Sequence, residues 1–189
     1  MLEGIVLAVV LVVVVVWAIA IYNRLVRLRA LVKEGFSGIT VQLRRRADLV
    51  PNLVSTVEGY ATHEKTVLSE VTAHRADATS ASGVAATAAA DNAFSAMLGR
   101  LIAVAEDYPD LKADANFRQL QDELSEIEEE LQGARRYYNA TVRDLNTRIQ
   151  SFPDVLFARP LGFTEAEFYT DGDASIQQAP KVQFGAAKA

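Results

Sequence analysis

Apolar residues fall into three regimes along this chain, and each predicts a different kind of element. Between Ile5 and Ile21 nothing is charged, and almost every side chain is Val, Leu, Ile or Ala. With Leu2–Gly4 and Tyr22 the segment reaches about 20 residues, roughly 30 Å of helix, the thickness of a bilayer's hydrocarbon core. The polar stripe that a buried core helix would turn to solvent is missing. Beyond Tyr22 apolar residues recur every three or four positions, the helical period. The last stretch, from about residue 154, loses that period.

The periodic region predicts four helices. The first continues out of the membrane segment through Leu25, Leu28, Val32, Phe36, Ile39 and Leu43 to about Leu49, with Gly35 and Gly38 permitting a bend. Pro51 ends it, and Asp48 is placed to cap a second helix from about Pro51 to Ala78, with Leu53, Val57, Tyr60, Val67 and Val71 inward. Residues 76–93 are mostly Ala, Ser, Thr and Gly and read as a connection with fraying helix ends. A third helix carries Phe94, Leu98, Leu101, Ala105 and Tyr108 and stops at Pro109. The fourth starts at an Asp114 cap. Phe117, Leu120, Leu124, Ile127, Leu131, Ala134, Tyr138, Val142, Leu145, Ile149 and Phe152 run through it in nearly heptad spacing with one stutter. It ends at Pro153, some 35 residues and about 50 Å on.

The expected fold is therefore all-α. Residues 1–22 form a transmembrane anchor, and 23–163 an elongated antiparallel bundle of three to four long helices with coiled-coil-like packing. Residues 164–189 form an extended tail, in which Val182-Gln183-Phe184 is suited to add to a neighbouring copy.

Charge sets the direction of the anchor. Only Glu3 precedes the apolar run, whereas Arg24, Arg27, Arg29 and Lys33 follow it closely. By the positive-inside rule the N-terminus lies outside and the domain after Tyr22 lies in the cytoplasm. Ala18-Ile19-Ala20 resembles a signal-peptide cleavage site, but that class needs its basic residues on the other flank, so the anchor is expected to stay attached. Overall the chain carries a net charge of −5 with a pI near 5.1. Nucleic acid is thereby disfavoured as a partner. Without cysteine there is neither a disulfide nor a thiolate metal site.

One block of the chain, Val41-Gln42-Leu43-Arg44-Arg45-Arg46-Ala47-Asp48-Leu49-Val50-Pro51-Asn52-Leu53-Val54, resembles the signature of the LemA family. The likeness extends through Tyr22-Asn23, Gly59-Tyr60, His63-Glu64, Arg100-Leu101, Glu106 to Lys112, Asn116-Phe117, Arg135, Tyr138-Asn139, Asn146, Phe152-Pro153 and Gly162-Phe163. Ala47 and Leu145 depart from it, standing where an aromatic and a tyrosine are common. The resemblance implies a bacterial protein with one membrane helix and a cytoplasmic helical bundle, sited at the inner membrane. It implies no reaction, cofactor or small-molecule substrate. The family-motif residues Arg45, Asp48, Pro51, Asn52, His63, Glu64, Tyr108, Pro109, Asn116, Phe117, Glu128, Arg135, Tyr138, Asn139 and Asn146 are accordingly read as structural.

Candidate chemistry is sparse. His63 and His74, eleven residues apart, would lie about 16 Å apart on one helix, too far to share a metal. His63-Glu64 opens like a zincin motif, but Val67 stands where its second histidine belongs. Glu126, Glu128, Glu129 and Glu130 fan around a helix and read as a solvated face. Arg44-Arg45-Arg46 reads as surface charge, and spacing pairs Glu128 and Arg135 with Arg45 and Asp48 across helices. Catalytic, cofactor and metal sites are thus not assigned. The reading is a membrane-anchored structural or interaction protein that binds lipid, other proteins and its own copies as a homo-oligomeric scaffold. The alternative is an accessory or regulatory subunit of a membrane protease, transporter or envelope-stress system.

Overall fold

The computed structural model describes residues 1–61 and 63–170, and all regular structure among them is helical. In chain order the helices are α1 (Leu2–Glu58), α2 (Lys65–Ser80), α3 (Val84–Glu106), α4 (Pro109–Ala113), α5 (Ala115–Gln150) and α6 (Val155–Ala158). Residues 171–189 of the expected tail, with Val182-Gln183-Phe184, lie outside the described residues.

The helix α1 runs unbroken for 57 residues, about 85 Å. Its first part is rich in β-branched valine, a poor helix former in water. In lipid the preference reverses, because a helix satisfies every backbone group within its own segment. Only 6% of the most apolar window is buried against the rest of the protein, so this is not a core helix. It is a helix long and apolar enough to cross a membrane, and it is free to face lipid.

Beyond the anchor, α1 and α5 pack antiparallel along their length. Ile21 and Leu25 meet Leu145 and Ile149 at the proximal end. Ile39 and Leu43 meet Leu131, Tyr138 and Val142 in the middle. Val50, Leu53 and Val57 join Phe117, Leu120 and Leu124 at the distal end. The two backbones approach closely at Gly35, where an added Cβ would lie 3.1 Å from the Cα of Tyr138. The α2–α3 hairpin covers only the distal half, turning at Gly83 with φ of +84°. Below it residues 164–170 run extended beside α5 and take the place a third helix would fill, burying Tyr169 and half-burying Ala166.

Four expectations are corrected here. First, Pro51 does not end α1 but sits inside it, and Asp48 is in mid-helix rather than a cap; the second helix begins at Lys65, and Tyr60 is exposed. A proline lacks the N–H that would bond the carbonyl four residues back, here that of the fully buried Ala47. Arg75 of α2 supplies the missing donor, its Nε reaching the Ala47 carbonyl at 2.6 Å. Second, residues 76–93 are helical except for Ala81–Gly83, because Val84, Thr87 and Ala88 extend the inward stripe of α3 backwards. Third, α5 begins as expected, with Asp114 accepting from the N–H groups of Asn116 and Phe117, but it stops at Gln150, and Phe152 is exposed instead of closing the seam. Fourth, Arg46 is buried rather than part of a charged surface, while Arg44 and Arg45 are exposed.

Candidate functional site

Among the described residues, buried polar groups gather where α1, α3, α5 and the extended segment meet. Asp91, completely buried, is their centre. Its Oδ1 accepts from Nη2 of Arg46 on α1, and its Oδ2 accepts from Nη2 of Arg135 on α5. The hydroxyl of Tyr169 also donates to Oδ2, at 2.6 Å. Arg46 reaches further, to Ser95 Oγ at 2.9 Å and Glu128 Oε2 at 3.1 Å, and its guanidinium lies 5.1 Å from the centre of the Phe94 ring. Glu128 completes the circuit with Arg135 at 3.6 Å. Among the described residues two guanidinium groups face two carboxylates, and each oxygen of Asp91 is engaged.

Such an arrangement holds segments together. A buried charge is tolerable only when paired and hydrogen-bonded, and removing one partner strands the other. Burial, followed by the hydrogen bond to Asp91, pushes the Tyr169 hydroxyl far above its ordinary value, so it remains a donor.

A second set of contacts fastens the extended segment to α5. Asn139 donates from Nδ2 to the Tyr169 carbonyl and accepts the Tyr169 N–H at Oδ1, both at 2.9 Å. Asn146 makes the same pair with Ala166, at 2.9 and 2.8 Å. The asparagines are seven residues apart, about 10.5 Å along a helix, and their partners three apart, about 10 Å along an extended chain. The two repeats match, and each amide acts as a backbone surrogate for a segment with no strand beside it. Between them the Tyr138 hydroxyl donates to the Glu167 carbonyl at 2.7 Å.

The expected site residues separate into distinct places. Arg135, Glu128, Tyr138, Asn139 and Asn146 belong to these two networks. The expected Glu128–Arg45 pairing is replaced by Glu128–Arg46, one position on, and Arg45 instead meets Glu130 at the surface. Asp48 lies only at 4.0 Å from Arg75. Tyr108, Pro109, Asn116 and Phe117 shape the distal turn through α4 into α5. There Tyr60 donates to Asp114 at 3.1 Å; the N–H of Phe117 is the first cause holding the Asp114 carboxyl below its usual range. Asn52 is exposed, and His63 and Glu64 fall in the turn between α1 and α2. Arg24, Arg27, Arg29 and Lys33 are exposed around α1 just beyond the apolar segment. Among the described residues no three His, Asp or Glu side chains converge as a metal site would require.

Asp91, Arg46 and Tyr169 were not anticipated. Two of them had a signal. Asp91 is the sole charge between Asp77 and Arg100, and it falls on the register 87, 91, 94, 98, 101 that continues the stripe of α3. Arg46 falls on the register 39, 43, 46, 50, 53, 57, visible only if the helix is carried through Pro51. Tyr169 lies in a segment without period.

The family model for the LemA family matches residues 35–184, which include both networks. The chain belongs to the LemA family. Magnetosome protein MamQ 2 of Paramagnetospirillum magneticum is 26% identical over 184 residues, covering 82% of this chain and 68% of that protein. MamQ of Magnetospirillum gryphiswaldense is 24% identical over the same span. Protein LemA of Metamycoplasma hominis is 28% identical over 135 residues, 69% of this chain and 60% of its own. This LemA-family chain is thus a helical, membrane-associated protein, and of its family-motif residues Glu128, Arg135, Tyr138, Asn139 and Asn146 lie on the contacts that fix α1, α5 and the extended segment in register.

Proposed function

We propose that this LemA-family protein is a non-catalytic, membrane-anchored post: a rigid bundle held on the cytoplasmic face of a bacterial inner membrane to bind other proteins, its own copies included. The observation that carries this reading is the continuity of α1. One helix serves as both apolar anchor and central bundle helix, so the soluble part cannot swing freely on a linker. The orientation rests on Arg24, Arg27, Arg29 and Lys33 following the apolar run with no basic residue before it. Confinement to two dimensions raises the effective concentration of copies and favours self-assembly. The inward use of the buried charges supports a mechanical rather than chemical role.

The test is the mass of the full-length protein extracted in mild detergent, by light scattering with negative-stain images of the same peak. A large uniform particle is expected. A monomer or small dimer overturns the self-assembly part, and a single heterologous partner in fixed ratio would point to an accessory subunit.

A further inference from the structure

From the placement of α6 we infer that the turn from Phe152 to Leu161 is a second membrane contact, a foot that enters the bilayer interface beside the anchor. The inference rests on α1 crossing the bilayer. The turn is locked against the lower end of α1: the Phe157 ring meets Trp17 edge-on at 5.9 Å, Phe163 meets Tyr22 at 5.7 Å, and Ala158 packs with Ile21 and Leu25. Trp17 lies five residues before Tyr22, about 7–8 Å further into the apolar segment. A side chain touching Trp17 therefore sits at the depth of the aromatic belt or below it.

The outward face of the turn fits that depth. Phe152 is 79% exposed, Leu156 60% and Leu161 45%, three large apolar side chains on ten residues left open among the described residues. The turn is not loose. Arg148 holds the buried Asp154 at 3.2 Å, and the Phe163 N–H bonds the Ala158 carbonyl at 3.0 Å. Arg159, exposed at the end of α6, and Arg24 and Arg27 on α1 supply positive charge at headgroup level. Apolar tips beside basic residues, fixed at the exit of a membrane helix, match the interfacial zone of a bilayer, and the occupant is lipid rather than another protein.

Depth-dependent fluorescence quenching tests this in the full-length protein, reconstituted in vesicles of mixed zwitterionic and anionic phospholipid brominated either near the headgroup or near the chain ends. Trp17 is the one native tryptophan and reports the anchor. In a Trp17→Phe background, Leu156→Trp or Phe152→Trp reports the foot, and Tyr137→Trp, at an exposed site far up α5, reports the bundle side. The expected result is blue-shifted emission at positions 156 and 152, quenched more by shallow bromine than by deep, with position 137 unquenched. If Trp17 is unquenched, the anchor reading itself fails. Were Trp17 quenched while 156 and 152 emit as in water, or emit blue-shifted but unquenched under a neighbouring protein, the foot alone is overturned. Quenching at 137 as strongly as at 156 also overturns it, since the bundle would then lie along the membrane.

Discussion

Arg45 and Arg46 differ in sequence by one position and in environment almost completely. The side chain of Arg45 is 50% exposed and meets a Glu130 that is 41% exposed, the kind of pair solvent screens to below about 1 kcal/mol. That of Arg46 is 3% exposed against a fully buried Asp91, where losing one partner costs about 3–5 kcal/mol. Chemical unfolding followed by circular dichroism should therefore show Arg46→Ala destabilising the bundle by several kcal/mol and Arg45→Ala by under about 1 kcal/mol. Equal effects would mean that the cluster is not the clasp described above. Tyr169 adds a pH dependence whose sign follows from its raised pKa. The native state favours the neutral phenol, so its contribution is complete below the ordinary value of 10.0 and declines as pH rises above it. Tyr138, raised first by burial and then by the charge of Glu167, acts in the same direction. In Tyr169→Phe, stability at neutral pH should fall by about 1–2 kcal/mol through the lost hydrogen bond. Its further decline above about pH 10 should be shallower than in the wild type, because one of the raised phenols is gone.

Helix boundaries turn on the same local chemistry. Pro51 was legible as a breaker, and by local rules it is one. What overrides it is a single side chain 24 positions away on another helix, which nothing in the local pattern announces. Carrying α1 past Pro51 also restores the register that puts Arg46 inward, so one local rule hid both a helix and a site residue. The long seam of α5 and the Asp114 cap, by contrast, were readable because periodicity and capping are properties of adjacent residues. Tertiary rescue makes a coupling prediction. Arg75→Leu should cost about 1–3 kcal/mol by leaving the buried Ala47 carbonyl without a donor. In Pro51→Ala the backbone N–H returns, and the same Arg75→Leu change should then cost much less. Additive single and double variants in a thermal-unfolding cycle would show that Arg75 acts elsewhere. The extended segment offers a parallel case. Asn139 and Asn146 were read as structural from the family likeness alone, and their heptad spacing acquires meaning only beside a chain rising three residues per two helical turns. Asn146→Ala should raise hydrogen exchange at the Ala166 N–H, and Asn139→Ala at Tyr169. The core exchange of α5 should remain slow in both.

The whole molecule is electrically lopsided. Arg24, Arg27, Arg29, Lys33, Arg143 and Arg159 are exposed toward the anchor end, against Glu34, Asp144, Glu165 and Glu167. The far end carries Glu58, Glu64, Glu106, Asp107, Asp110 and Asp114 against Lys65, Lys112 and Arg118. From Tyr22 to Glu58 the helix rises 36 residue steps, about 54 Å, more than five Debye lengths at physiological salt. The tip therefore does not sense an anionic membrane while the bundle stands upright, and it is repelled only as the bundle tilts down. Under the proposed function, this and the stiffness of one continuous helix lead us to expect the upright state. Cryo-electron microscopy of proteoliposomes should show protein density reaching about 55 Å from the bilayer surface. A bundle lying flat would give a layer only about two helix diameters thick, 20–25 Å, and would refute the upright post. Reversing four tip charges, Glu106, Asp107, Asp110 and Glu58 to lysine, replaces repulsion with attraction. On anionic vesicles at low salt this variant should give a thinner or broader layer than the wild type, and raising the salt should restore the full height.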